Sequence, residues 1–306
     1  MNNFLQFELW KDCNNKCNFC FNNNSETSVE SKLSRISFVY NELQNKDKYA
    51  GINRVGFIGG EFFGGQLKTK ELYDAFVNLI NTVLVNPDIE QVLVTTSLIY
   101  YDTKQLNDFF HTIQHREKLM VCTSWDTKYR FHTQEDELLW EKNVAWIHKH
   151  FPEVKIHVEI CPTQWHIEDV LNDKFNIRDF ESKFDVRVDY TDLNSGFRYK
   201  NKYEFQKDVD GFFPKRETFL KFLQKVYSEG QADVNTFLNF ENMSTMLWMS
   251  GWGEYKLYTG FRGPLDGETV DKDYGLPPMY EETSDYIDSH ERMRKDVLMM
   301  WEIVNE

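Results

Sequence analysis

"FLQFELWKDCNNKCNFCF", residues 4–21, decides how the rest of the chain reads. It opens with an apolar, strand-like run over 4–10 and passes directly into a polar loop. That loop holds Cys13, Cys17 and Cys20, three of only five cysteines among 306 residues. Thiolates at spacings of four and three can converge on one metal centre. A structural zinc site wants four ligands, yet the nearest histidine is His111 and the next cysteine is Cys122. A zinc-stabilised binding module is therefore the alternative of a different class. An iron–sulfur cluster fits three thiolates better, because it leaves one iron without a protein ligand and open to a reactant.

Outward from this loop the chain repeats strand-like and helix-like runs. The strand candidates are 4–10, 54–60, 91–97, 118–125, 155–161 and 184–191. Helical periodicity covers 28–45, 69–86, 102–116 and 134–150, with Leu72, Phe76, Leu79 and Ile80 on one face of the second. Parallel strands need long crossovers, so such units predict an α/β fold with helices outside a parallel sheet. Six units are fewer than the eight of a closed barrel, which leaves a partial barrel with ligands at the carboxyl ends of its strands. The rhythm breaks after about residue 196. The predicted division is a barrel domain over 1–196 and a smaller α+β cap over 197–306, with helices at 215–228 and from about Asp285 to Val304.

The motif Cys13-X3-Cys17-X2-Cys20, with Phe19 before the last cysteine, resembles the signature of radical S-adenosylmethionine enzymes. That resemblance implies a partial (β/α)6 barrel whose first strand feeds the cysteine loop. It also implies that Cys13, Cys17 and Cys20 bind a [4Fe–4S] cluster and that S-adenosylmethionine chelates the fourth iron. Cleavage of the cofactor would then yield a 5′-deoxyadenosyl radical that abstracts a substrate hydrogen. An electron donor such as flavodoxin or ferredoxin is implied as a partner. Gly59-Gly60-Glu61, ending the second strand candidate, is similar to the family's GGE motif. There the glycines admit backbone close to a ligand, and the carboxylate or carbonyls suit the cofactor's cationic amine. By the same resemblance Phe19, Thr96, Ser97 and Ser124 are candidate cofactor contacts, and Asp126 of "TSWD" shapes its loop. The C-terminal stretch is similar to the SPASM/twitch-like extension of peptide-modifying members, but no cysteine follows Cys161 to hold a second cluster. The cluster loop is also similar to that of viperin-type nucleotide dehydratases.

Composition narrows the substrate. Lys and Arg total 35 against 49 Asp and Glu, a net charge of −14, which repels an extended nucleic-acid backbone. A peptide or protein substrate is expected, with a nucleotide, nucleoside or other small metabolite as the alternative. Neither a signal peptide nor an apolar run of membrane-spanning length is visible, so a cytoplasmic location without a membrane partner is expected. Cys122 and Cys161 read as core residues, Trp10 as packing beneath the cluster loop, and the aromatics at 248–261 as glue between cap and barrel. Thr163 and Gln164 read as rim residues, and Tyr190 and Asp192 as groups within reach of substrate.

Overall fold

A computed structural model describes residues 3–15, 17, 26–44, 51–190, 214–238, 245–250, 255–259, 262–264 and 286–306. The first six strands are β1 (Asn3–Glu8), β2 (Ile52–Ile58), β3 (Gln91–Thr95), β4 (Leu119–Trp125), β5 (Lys155–Ile160) and β6 (Arg187–Tyr190). Each pairs in parallel with the next. Between them run α1 (Val29–Leu43), α2 (Lys70–Leu84), α3 (Lys104–Thr112) and α4 (Gln134–His150), then α5 (Gln164–Leu171) and α6 (Ile177–Phe184) before β6. The expected parallel α/β sheet is present and does not close.

The C-terminal part contributes α7 (Arg216–Ser228), α8 (Val234–Leu238), β7 (Thr245–Ser250), β8 (Tyr255–Thr259), β9 (Arg262–Pro264) and α9 (Tyr286–Asn305). Its strands extend the same sheet, in the order β6-β5-β4-β3-β2-β1-β7-β8-β9. β7 lies parallel to β1, and β8 and β9 return antiparallel. The aromatic segment read as interdomain glue thus supplies backbone to the sheet at β7 and β8; its side chains, like the 196/197 boundary, lie outside the described residues.

Alternation splits the sheet into two faces. Leu5, Phe7, Val55, Phe57, Val92, Val94, Val121, Val158 and Val188 belong to the large core shared with the helices. Phe4, Leu93, Met120 and Cys122 form a separate small cluster on the opposite, inner face. Arg54 on β2 and Arg187 on β6 lie on this face, and burial and then the Arg187 charge pull the Arg54 guanidinium below its usual range.

Local sequence explains the helices. Thr69 caps α2 by accepting from Leu72 N, and the predicted face of Leu72, Phe76, Leu79 and Ile80 is buried. Thr133 and Asp136 form a capping box on α4, whose first turn is acidic and last turn basic. Among the described residues no helix is long and apolar enough to cross a membrane.

Candidate functional site

Beyond their last strand residues β1 and β2 stay zipped together. Leu9 N donates to Ile58 O at 3.0 Å, Gly60 N to Trp10 O at 2.8 Å and Glu61 N to Asp12 O at 2.7 Å. The cysteine loop and the Gly59-Gly60-Glu61 stretch are therefore neighbours at the carboxyl end of the sheet. A Cβ on Gly59 would stand 2.5 Å from Trp10 O, and one on Gly60 1.7 Å from Asp12 O. Neither glycine is in the left-handed region, so what requires glycine is the closeness of the two backbones.

Glu61 turns its carboxylate into the protein, where it is 1% exposed. Oε1 accepts from Phe62 N (2.9 Å), Phe63 N (2.9 Å) and Thr96 Oγ1 (2.7 Å); Oε2 accepts from Ser97 N (2.6 Å). Its main-chain carbonyl takes the Trp10 indole N–H at 2.9 Å. Sequence reasoning set Glu61, Thr96 and Ser97 beside a cofactor; the structure brings the three together as a knot that ties the ends of β1, β2 and β3. Tyr100 lies under this knot, and burial followed by the Glu61 charge pushes its phenol well up.

The cysteine loop is held from three sides. Asn14 Nδ2 donates to Gly64 O at 3.0 Å, and its Oδ1 accepts from Gln66 Nε2 at 2.6 Å. Asp12 accepts Thr27 N at 2.8 Å and faces Lys32 Nζ at 3.5 Å. Lys32, on α1 and only 1% exposed, also donates to Gln66 O at 3.4 Å and lies 5.0 Å from the Trp10 ring centroid. Burial, partly offset by Asp12, pulls its ammonium below the usual lysine range. Trp10 packs in the core against Phe62 and Phe76, as expected of the residue beneath the loop.

Cys13 is half-buried and Cys17 is 7% exposed; Cys13 Sγ accepts the Asn15 N–H at 3.4 Å. A main-chain N–H aimed at sulfur stabilises thiolate character, so the donor set fits an iron–sulfur centre. Cys20 and Phe19 lie outside the described residues, and the described residues alone contain no group of three metal-ligating side chains.

Ser124 lies on the inner face of β4, opposite Glu159 on β5, which in turn stands opposite Asp189 on β6. Asp189 is paired, with His157 Nε2 at 2.9 Å and Arg187 at 3.3 Å. Among the described residues Ser124 and Glu159 have no hydrogen-bond or ion-pair partner. Asp126 accepts from Lys128 N and Tyr129 N and so shapes its loop; burial, opposed by these bonds, pushes its carboxyl up. Buried Arg130 donates to Ser97 O at 2.9 Å. Cys122 and Cys161 are buried, as expected.

Two readings are corrected. Tyr190 faces the helices, 2.7 Å from His166 Nε2 and stacked on Phe237, because alternation assigns the inner face of β6 to Arg187 and Asp189. Thr163 is fully buried as the cap of α5, accepting His166 N, and Gln164 bonds Glu168 and Lys215 N. Asp192 lies outside the described residues. Sequence reasoning missed Lys32, His157, Glu159 and Asp189. The alternation of "KIHVEI" does carry a signal for two of them, since His157 and Glu159 interrupt an otherwise apolar strand on one face.

No protein-family model matches the chain, and no curated protein matches it significantly. Among solved structures the fold is similar to SuiB of Streptococcus suis crystallised with its precursor peptide SuiA. The TM-score is 0.50 at 12% identity, over 83% of this chain and 59% of that one. A second SuiB structure, bound to S-adenosylmethionine, gives a TM-score of 0.40 at 16% identity over 62% and 38%. The chain thus spans less than two thirds of SuiB, and the likeness is one of fold.

Proposed function

We propose that the chain is a radical S-adenosylmethionine enzyme that modifies a peptide. One observation carries the reading: Leu9, Trp10 and Asp12, which lead into the cysteine motif, are bonded backbone to backbone to Ile58, Gly60 and Glu61 at the carboxyl end of a partial-barrel sheet. Cys13, Cys17 and Cys20 would hold a [4Fe–4S] cluster, which when bound supplies the electron that cleaves the cofactor. Trp10, Phe62 and Phe63 keep water from beneath the loop, and Lys32 and Asn14 fix its path. Glu61 acts in this reading by holding Gly59, Gly60, Thr96 and Ser97 in place. Ser124 faces the ligand side, and the peptide lies over the inner face. The likeness of fold to SuiB, whose structure holds a precursor peptide, supports a peptide over a small metabolite.

Anaerobic reconstitution tests the reading. The protein should take up about four irons per chain and cleave S-adenosylmethionine to 5′-deoxyadenosine under reduction. The triple Cys13→Ala, Cys17→Ala, Cys20→Ala variant should do neither. Stoichiometric zinc with no charge-transfer absorbance would overturn the reading in favour of a zinc-stabilised module.

A further inference from the structure

Among the described residues several charged groups of the inner face are bonded. Arg54 is bonded to Gln91 Oε1 at 2.9 Å, Asp189 is held by His157 and Arg187, and Arg130 is bonded to Ser97 O. Glu159, in the row between Ser124 and Asp189, has no partner among the described residues. It is half-buried by area but recessed, and burial pushes its carboxyl up, ahead of the opposing charges of His157 and Arg130 and the reinforcing charge of Asp189. A recessed carboxylate without a bonded partner lowers stability, and the charges of His157 and Arg130 offset that loss only in part. Such a group is what a binding site offers to a ligand of opposite charge.

We propose that Glu159 selects a cationic group, a primary ammonium or a guanidinium, on the substrate. The inference deepens the proposed function and rests on it for placing the substrate over the inner face. The cation would donate a charge-assisted hydrogen bond to the carboxylate. The Ser124 hydroxyl, opposite Glu159 in the register, stands on the same face to take a further N–H. A neutral substrate group of the same shape would strip water from the carboxylate and return no bond, so the site discriminates by penalty as well as by attraction.

The test compares two blocked tripeptides, acetyl-Gly-Lys-Gly-amide and its norleucine counterpart, by equilibrium binding to the reconstituted full-length protein. The lysine peptide should bind at least tenfold tighter. Glu159→Gln should reduce that ratio to about one while keeping iron content and S-adenosylmethionine affinity. Equal affinity of the wild type for both peptides, or measurable binding of neither, overturns the proposal without recourse to any variant. So does a Glu159→Gln protein that keeps the preference, or one that loses cofactor affinity, which would make Glu159 a cofactor contact. Failure of the proposed function reads differently: a wild type that takes up no iron and binds no cofactor sinks that reading, whatever the peptide ratio.

Discussion

Glu61 shows how a motif residue can carry a role its motif does not announce. Four donors converge on its carboxylate, two from its own turn and two from Thr96 and Ser97 at the end of β3. Glu61→Ala would leave all four without an acceptor in a buried place. Each such group costs roughly 1–3 kcal/mol, so the variant should lose at least about 3 kcal/mol in urea unfolding. Loss of cofactor affinity with unchanged stability would show instead that the carboxylate works outward. The knot could not be read in advance, because Ser97 is 36 residues away and its N–H has no signature in sequence.

At the scale of elements, the zipped ends of β1 and β2 depend on two residues without side chains. Gly60→Ala would press a Cβ into the main-chain oxygen of Asp12, and no rotamer change relieves a clash with backbone. Overpacking of this kind costs about 3 kcal/mol or more at a rigid site, and here it would part the cysteine loop from its platform. Thermal unfolding and iron retention should both fall in Gly60→Ala; a variant with wild-type values in both would mean that the loops separate freely. The strands β1 to β6 were legible from alternation because their apolar residues recur on the helix-facing side. α5 and α6 were not, since each spans only eight residues and the left-handed Asp173 breaks the periodicity between them. β7 escaped for another reason: its partner, β1, is more than 200 residues away, and no local pattern records a parallel pairing at that distance.

For the whole molecule, acid should act through the junction of β6 with α5 and α7. His166 is enclosed by Phe175, Tyr190 and Phe222, and burial pulls its imidazole down to about 3. An unfolded histidine binds its proton near pH 6.5, whereas the folded one refuses it until about pH 3. Between those values the unfolded state holds the extra proton, so stability falls as pH falls. The loss has an upper limit of about 1.4 kcal/mol per pH unit, less what residual solvent contact at the half-buried ring screens. Urea midpoints at pH 7 and pH 4.5 should therefore draw closer together in His166→Gln; an identical pH dependence in the variant would remove His166 as the cause. The C-terminal helix is bound into the same body. Arg216 on α7 grips buried Asp296 on α9 through two hydrogen bonds of 2.8 and 2.6 Å, and Tyr227 packs on Trp301. The pairing of β7 with β1 also sets a timetable. About 240 residues separate the partners, so at translation rates of roughly 5–20 residues per second the far edge of β1 waits on the order of 10–50 s for its neighbour. During that interval the strand that launches the cysteine loop presents open hydrogen-bonding groups to the ribosome's surroundings. Shielding of that open edge on the nascent chain would then bear on the yield of correctly assembled molecules.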